Sequence, residues 1–409
     1  MELSKDKVIP IRGQVQHYAW GGDFYLPKLL NLPVNKGETY AEYWLGAHST
    51  GSAELVSDGT EKILLKDYIG AYPRETLGEE AYREFAGLPY LLKVLDVREM
   101  LSIQVHPSKA DARRDFESEN QKGIDLSAPD RNYRDDNHKP ELMYALSEFW
   151  LLHGFKPAKA LDRILHEIPE LHFLVPVFGN GNYKALYQHV MEMAQAQVNR
   201  HLKTLLDRIV PHYQFEKLKK NKEDFWAARA ALTYSQKGDV DRGIFSIYFF
   251  NLLQLQPGQA VFQNAGVPHA YLEGQNVEIM ANSDNVLRGG LTPKHVDVPE
   301  LMKHLKFEPT VPQIIHGVEK GKATTVFPTP APDFELSRLH LAKGQELPLL
   351  SHSVQIFLVL SGSLEVKEKS LAGFNRKKGE SWVSFDGAES NLKALEDTVI
   401  YRAAIPEAS

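Results

Sequence analysis

A stretch with helical periodicity interrupts a chain that is otherwise patterned as short β-strands. Between residues 158 and 237, apolar residues recur at helical spacing and β-branched residues are few, as in Ala158–Leu165, Tyr183–Ile209 and Phe225–Ser235. On both sides of this stretch, short apolar runs alternate with turn residues, which is typical of strands. The sequence therefore predicts a mainly β protein with an inserted α-helical domain.

The strand-like runs fall into two groups, and 409 residues are enough for two or three domains. The first group consists of Ala41–Leu45, Ile63–Leu65, Tyr90–Val105, Ile244–Leu255, Ala260–Gln263 and Val277–Ala281. The second group consists of Phe334–Leu341, Val354–Leu360, Leu364–Lys367 and Ser381–Phe385. We predict a first β domain made of 1–107, 138–157 and 238–310, a long connecting loop at 108–137 with one helix near Ala110–Asn120, a helical insert at 158–237, and a C-terminal β domain at 311–409.

Composition excludes several classes of function. The chain has no cysteine, so disulfides and thiolate metal sites are excluded, and any transition metal must be held by nitrogen and oxygen ligands. A net charge of −6 gives no basis for a nucleic-acid or anionic-membrane partner. No apolar segment has the length of a signal peptide or a membrane span, so we expect a cytoplasmic protein.

The segment Ser102–Pro107 contains two potential metal ligands at strand spacing. If it is extended, alternation places Gln104 and His106 on one face, with Ile103 and Val105 packing on the other. The alternative is a half-buried strand whose polar residues simply face solvent.

Two further stretches add a carboxylate and a histidine. Pro140 fixes the backbone at the start of an apolar run, and Glu141 is the first polar side chain along it. His269 follows Pro268 beyond a predicted turn. Taken singly, Glu141 could be a solvated strand end and His269 an ordinary hydrogen-bonded histidine.

The combination carries more information than its parts. Gln104, His106, Glu141 and His269 together offer two nitrogen and two oxygen ligands. Such a set suits a catalytic zinc ion with an open coordination position better than a closed structural site.

The segment from Asn276 to Gly290 contains candidates for catalysis. Alternation places Glu278 on the face opposite Val277 and Ile279. Arg288 precedes two glycines, where the backbone can approach a ligand closely, and a guanidinium suits an anionic oxygen. The alternative is a structural ion pair between Arg288 and Glu278 or Asp284.

These stretches together resemble the type I mannose-6-phosphate isomerases of the cupin superfamily. The matching segments are Tyr18-Ala19-Trp20-Gly21, Gln104-Val105-His106-Pro107, His138-Lys139-Pro140-Glu141, Pro268-His269-Ala270-Tyr271 and the run from Ser283 to Lys294. They occur in the family's order over roughly the first three-quarters of the chain, which is far more specific than any one motif. No comparable ligand motif occurs in the C-terminal segment.

The resemblance implies a fold, a cofactor and site residues. The fold would be two cupin-type jelly-roll barrels with an inserted helical domain, of which the first barrel is catalytic. One zinc ion per chain would be held by Gln104, His106, Glu141 and His269. Arg288 would be catalytic, and the residues around the substrate cleft would be Trp20, Lys93, Ser102, Lys139, Tyr271, Glu278 and Asp284.

The implied reaction interconverts mannose 6-phosphate and fructose 6-phosphate through an enediolate, which needs a base and charge stabilisation. We favour Glu278 as the base, with Lys139 next, while Arg288 either stabilises the enediolate or holds the phosphate. Lys93, Lys139 and Ser102 are the other candidates for the phosphate contact. The expected partner is a small sugar phosphate, and the chain is expected to be a monomer or a weak homo-oligomer. A cupin that binds sugar without turnover and a metal-dependent oxygenase are the two competing functions.

Overall fold

The structure, a computed structural model, describes residues 4–56, 62–235, 238–369 and 373–407. The strands are β1 (Val8–Arg12), β2 (Gln14–Gln16), β3 (Glu42–Gly46), β4 (Glu54–Leu55), β5 (Ile63–Leu64), β6 (Tyr90–Val97), β7 (Gln104–Val105), β8 (Glu141–Ala145), β9 (Phe149–Phe155), β10 (Phe250–Leu255), β11 (Ala260–Gln263), β12 (His269–Ala281), β13 (Leu287–Arg288), β14 (Val318–Lys320), β15 (Thr324–Phe327), β16 (Glu335–Leu341), β17 (Glu346–Leu350), β18 (Gln355–Ser361), β19 (Ser363–Glu368), β20 (Phe374–Lys377), β21 (Ser381–Ser384), β22 (Glu389–Ala394) and β23 (Thr398–Ala404).

The helices contain nearly as many residues as the strands. They are α1 (Tyr25–Leu30), α2 (Leu65–Ala71), α3 (Pro73–Leu77), α4 (Glu79–Phe85), α5 (Lys109–Gln121), α6 (Ala158–Glu167), α7 (Val175–Phe178), α8 (Tyr183–Glu192), α9 (Gln195–Gln214), α10 (Glu223–Tyr234), α11 (Gly243–Phe249) and α12 (Val298–His304), with a 3₁₀ helix at Pro169–Leu174. The chain is therefore a mixed α and β protein, and the prediction of a mainly β protein is wrong in this respect. Among the described residues, none of these helices has the length and apolar character needed to cross a membrane.

The long strand β12 organises the first sheet. Its C-terminal half lies between β6 and β8, and its N-terminal half pairs with β9 and β7, all antiparallel. The change of neighbours occurs at Gly274, where φ is 129° and a Cβ atom would lie 2.6 Å from the carbonyl oxygen of Glu148. Only glycine adopts this backbone conformation readily, so Gly274 allows one strand to serve both halves of the sheet.

The helical pattern predicted for residues 158–237 is present as α6 to α10. These helices share a core with α11, to which Leu186, Leu202 and Trp226 contribute fully buried side chains. The bounds of the corresponding domain stay a prediction.

One element differs from the sequence prediction in type. The sequence predicts a strand over Ile244–Leu255, but Gly243–Phe249 is a helix and only Phe250–Leu255 is a strand. Every residue of α11 is buried, so its sequence is apolar on nearly all sides. A short, continuously apolar run does not distinguish a buried helix from a buried strand, and packing against the other helices decides the outcome.

The C-terminal strands form two sheets, of which the larger also contains strands from the beginning of the chain. Its order is β14-β15-β16-β23-β18-β21-β1-β4-β5. Side chains from this sheet and from the first sheet share one core, in which the ring of Tyr144 lies 4.8 Å from that of Phe327 and 5.2 Å from that of Tyr401. The C-terminal strands therefore support the outer face of β8, whose first residue is Glu141.

Candidate metal centre and active site

Three predicted ligands meet at the ends of three strands. His106 follows β7, Glu141 begins β8 and His269 begins β12. The Nε2 atom of His106 lies 3.4 Å from Oε1 of Glu141, and Nε2 of His269 lies 3.3 Å from Oε2 of the same carboxylate. All three side chains are buried, and one ligand atom from each lies within 4.8 Å of the other two.

Backbone carbonyls fix how the two imidazoles present their nitrogens. Nδ1 of His106 donates to the carbonyl oxygen of Asn285 at 2.8 Å, and Nδ1 of His269 donates to that of Val267 at 3.0 Å. Because a carbonyl only accepts, the hydrogen of each neutral ring lies on Nδ1 and the Nε2 lone pair faces Glu141. Nε2 of His106 is buried and has no hydrogen-bond partner. Two nitrogen lone pairs directed at one buried carboxylate form a donor set that fits a divalent metal.

The electrostatics keep His106 and Glu141 in the forms that can bind a metal. Burial lowers the pKa of His106 to about 4, so the ring is neutral at physiological pH. Burial alone would raise the pKa of Glu141, but the charge of Lys139 holds it well below its usual range. The ammonium of Lys139 lies 3.3 Å from Oε1 of Glu141.

Strand register places Gln104 and Arg288 beside this group. Gln104 is the cross-strand partner of His269 on one side and of Arg288 on the other. Directly opposed residues of antiparallel strands point to the same face, with Cβ atoms about 5 Å apart. Gln104 therefore lies next to His269, and Arg288 is one strand farther from that histidine.

A second row of cross-strand partners consists of Trp44, Lys93 and Glu278 on β3, β6 and β12. The buried ammonium of Lys93 lies 3.2 Å from Oε1 of Glu278, 3.5 Å from Oε2 of Glu42 and 5.1 Å from the centre of a Trp44 ring. Burial alone would lower the pKa of Lys93, but the two carboxylates raise it above its ordinary value. Lys93 is therefore a charged group held by Glu42 and Glu278.

Glu278 is buried and held from two sides. Its Oε2 accepts a hydrogen bond of 2.7 Å from the hydroxyl of Tyr271, while its Oε1 faces Lys93. Burial, followed by the charge of Glu141, raises the pKa of Glu278, although Lys93 and Lys139 oppose this. A fixed carboxylate with a raised pKa is suited to exchange a proton with a substrate.

Arg288 is not engaged in the structural ion pair that its sequence allowed. Glu278 is held by Lys93 and Tyr271, and Oδ1 of Asp284 lies 3.2 Å from Nε2 of His48. Within the described ranges, no carboxylate lies within 4 Å of the Arg288 guanidinium. Arg288 is half-buried, and no acidic side chain in the described part of the chain neutralises its charge.

Two other cationic side chains, Arg134 and Lys294, interact electrostatically with Arg288. Burial and then the charge of Arg134 lower the pKa of Arg288, and partial burial and then the charge of Arg288 lower that of Lys294. Like charges gathered in this way repel one another, so this region favours an anion.

Asp241, just before α11, holds the loop that follows Arg288. Oδ1 of Asp241 accepts the backbone N–H of Leu291 at 2.9 Å and Oδ2 accepts that of Thr292 at 3.2 Å. Leu291 has a φ of 55°, an uncommon conformation for a residue with a side chain. A Cβ atom on Gly290 would lie 2.6 Å from Cα of Gly243, so the loop packs directly against the start of α11.

Comparison with known proteins agrees with this arrangement. Residues 8–158 match the family model for the catalytic domain of type I phosphomannose isomerase. A mannose-6-phosphate isomerase of Salmonella typhimurium (strain LT2) is 35% identical over 382 residues, covering 92% of this chain and 94% of the relative. The Escherichia coli (strain K12) protein of that name is 34% identical over 373 residues, covering 90% and 92%. The chain belongs to the mannose-6-phosphate isomerase family.

The isomerase also resembles solved structures over nearly its whole length. A crystal structure of mannose 6-phosphate isomerase from Salmonella typhimurium, bound to its substrate and a zinc atom, superimposes with a TM-score of 0.85. That chain is 32% identical and is covered completely, with 98% of the present chain included.

The other residues assigned to the cleft of the isomerase lie at different distances from the three ligands. Lys139 and Tyr271 are buried beside Glu141 and Glu278, respectively. Trp20 is half-buried and packs against the apolar cluster that contains Tyr271. Ser102 is half-buried two residues before Gln104, and within the described part of the chain it has no side-chain hydrogen bond to the predicted ligands.

Two buried residues that contact predicted site residues were not themselves predicted from the sequence. Glu42 is buried against Lys93, and its Oε2 accepts the indole N–H of Trp44. His48 is buried and pairs with Asp284. A charged residue inside the apolar run Ala41–Leu45 was a usable signal for Glu42, since buried charges in strands need partners. No comparable signal marked His48, which follows the strand in a loop.

Proposed function

We propose that this isomerase interconverts mannose 6-phosphate and fructose 6-phosphate at one zinc ion held by Gln104, His106, Glu141 and His269. The observation that carries the proposal is the convergence of two oriented histidine nitrogens on a buried carboxylate, beside a second buried carboxylate of raised pKa. The zinc and the substrate bound to a relative of the same fold support both the metal and the reaction.

The metal and the protein side chains have separate tasks in this proposal. When bound, zinc acts as a Lewis acid that orients the sugar oxygens and favours negative charge on them. Glu278 accepts the proton from C2 of the aldose and returns it to C1, while the hydroxyl proton passes from O2 to O1. Tyr271 and Lys93 hold the carboxylate of Glu278 in one orientation. Lys139 is the alternative base, but its ammonium pairs with Glu141.

Arg288 supplies the positive charge for the substrate. Its guanidinium has no acidic partner among the described residues and its strand neighbour is the proposed ligand Gln104, so it would be available to stabilise the charge of an enediolate. The charges of Arg134 and Lys294 add to that of Arg288, and we place the phosphate in this positive region. Lys93, by contrast, is held by two carboxylates and is less suited to phosphate than its sequence suggested.

The remaining assignments follow from the same resemblance. We assign the first sheet, with β12 changing neighbours at Gly274, to a cupin-type barrel and the C-terminal sheets to a second barrel without a metal site. All proposed ligands come from one chain, so a monomer or weak homo-oligomer suffices for activity.

A coupled assay of mannose 6-phosphate conversion, with oxygen excluded, tests this function. The zinc-loaded protein should turn over, chelation should abolish turnover and added zinc should restore it. Metal and sugar binding without turnover would favour a sugar-binding cupin, and an oxygen requirement would favour an oxygenase. Full activity in metal-free protein would remove the central premise.

A further inference from the structure

A side chain of the C-terminal part of the chain contacts the active-site loop. Nε2 of His138 lies 2.8 Å from Oδ2 of Asp333, which belongs to the turn between β15 and β16. His138 immediately precedes Lys139 and Pro140, and Glu141 follows them. Nearly two hundred residues of sequence separate the two partners, so this contact exists only in the folded chain.

Asp333 is an unusual place for a carboxylate. The residue is fully buried, and its second oxygen, Oδ1, has no hydrogen-bond partner. An acidic group with a single partner is costly to remove from water, and an apolar residue would fill the site with less cost. The contact with His138 is therefore the feature of Asp333 that calls for a functional explanation.

The surroundings of Asp333 hold it rigidly. Ala331 and Phe334, on either side of it, are buried in the core that also contains Leu142 and Tyr144 of β8. The turn that presents Asp333 and the strand that begins with Glu141 therefore pack into the same core. A side chain fixed by such packing can transmit its position to a neighbouring loop.

The contact completes the anchoring of the segment that carries Lys139. On its C-terminal side, the carbonyl oxygen of Pro140 accepts the backbone N–H of Ala281 at 3.0 Å, and Pro140 itself restricts the backbone. On its N-terminal side, His138 is held by Asp333. Lys139 lies between these two fixed points, with its ammonium 3.3 Å from Glu141.

We propose that Asp333 is a positioning residue through which the C-terminal sheet fixes Lys139 and Glu141 for the isomerase reaction. The inference rests on the proposed function, and it gives the C-terminal part of the chain a direct task at an active site to which it contributes no ligand. Asp333 acts through His138 and touches neither the metal ligands nor Lys139.

The test compares D333A, D333N and H138A in the full-length, zinc-loaded protein. D333A and H138A should each lower kcat/KM by about tenfold, the lower end of the effect of losing an outer hydrogen-bond partner at a metal site. The D333A/H138A double variant should lose no more than either single variant, because both remove one contact. D333N keeps an oxygen that accepts the imidazole N–H and should recover most of the activity.

The matched control is S353A, which removes another buried contact between the C-terminal strands and the first half of the chain. The Ser353 hydroxyl donates to the carbonyl oxygen of Leu77 at 2.8 Å and makes no hydrogen bond, among the described residues, to His138 or Asp333. S353A should lower the thermal midpoint and leave kcat/KM unchanged.

Zinc affinity, measured by chelator competition, gives a readout independent of turnover. D333A should weaken it severalfold because Glu141 is less well oriented, whereas S353A should not. Wild-type kcat/KM and zinc affinity in D333A, additive losses in the double variant, or equal losses in S353A would each overturn the proposal. If D333A fails to fold, H138A decides by the same criteria, and D333N should stay close to the wild type. A wild-type protein without isomerase activity would contradict the proposed function instead, while the zinc measurement would still test the contact.

Discussion

Replacing Arg288 by alanine should reduce catalysis far more than stability or zinc binding. The guanidinium has no carboxylate within 4 Å among the described residues, so its removal leaves no buried charge unpaired. The charge of Arg288 also repels that of Lys294. Removing Arg288 relieves this repulsion, which offsets part of the packing energy lost with the side chain. We therefore expect a change in the free energy of unfolding of about 1 kcal/mol or less.

The effect on rate should be much larger. Loss of one donor that stabilises developing charge lowers kcat by roughly 10²- to 10³-fold, which corresponds to about 2.7–4 kcal/mol of transition-state stabilisation. R288K should recover little, because an ammonium lacks the paired N–H groups of a guanidinium. A fall mainly in kcat would assign Arg288 to the enediolate, and a rise mainly in KM would assign it to the phosphate.

The assay is steady-state conversion of mannose 6-phosphate, with thermal unfolding and zinc content measured on the same samples. R376A is the matched control, because Arg376 is also half-buried and its pKa is also lowered by burial, but it belongs to a C-terminal strand. R376A should keep wild-type kcat and KM. If R288A lost stability but retained nearly normal turnover in the folded fraction, Arg288 would be a structural residue and the reasoning would be refuted.

Three further predictions follow from the site and its electrostatics. H106A and H269A should each lose both zinc and turnover without unfolding, and elemental analysis showing stoichiometric zinc at the wild-type rate would remove that residue from the ligand set. Free mannose should be a far poorer substrate than its 6-phosphate, since binding of the remote phosphate helps to position the reacting carbons; comparable kcat/KM values would indicate a neutral-sugar isomerase. Metal-free protein should lose stability as the pH falls from about 6.5 to about 4. Burial lowers the pKa of His106 and of His153 in the folded protein to about 4. In this pH range the unfolded chain therefore binds more protons than the folded chain, which favours unfolding. Each histidine contributes roughly 3 kcal/mol over that range, so denaturant titrations of H153N should show a shallower pH dependence than wild type, and an unchanged slope would contradict the assignment.

Local sequence was sufficient where periodicity or a capping residue determines the conformation of a segment. Alternation predicts Glu278 on the face opposite Val277 and Ile279, and the structure puts it on that face, paired with Lys93. The helix expected near Ala110–Asn120 is present as Lys109–Gln121, with Ser108 capping its first turn. Both depend on periodicity or capping within a few residues, which a single chain segment contains.

Local sequence was insufficient where a segment's surroundings decide its conformation. The apolar run after Gly243 became a helix because it is buried on every side among other helices. The sequence also could not decide whether Arg288 forms an ion pair with Glu278. That depends on which cation lies opposite Glu278 in the sheet, and in the structure it is Lys93. Cross-strand register decides such pairings, and register is a property of the folded sheet.

The sequence by itself determined the chemistry available to this protein. The absence of cysteine, together with the Gln-x-His, Pro-Glu and Pro-His segments, restricts the candidate metal ligands to nitrogen and oxygen donors. Only the tertiary structure decided which groups those ligands meet. Lys93 is enclosed by Glu42 and Glu278, and Asp333 reaches His138, through contacts between residues far apart in sequence. Such contacts depend on how strands pair and how sheets pack, and that information is distributed over the whole chain rather than carried by any one motif.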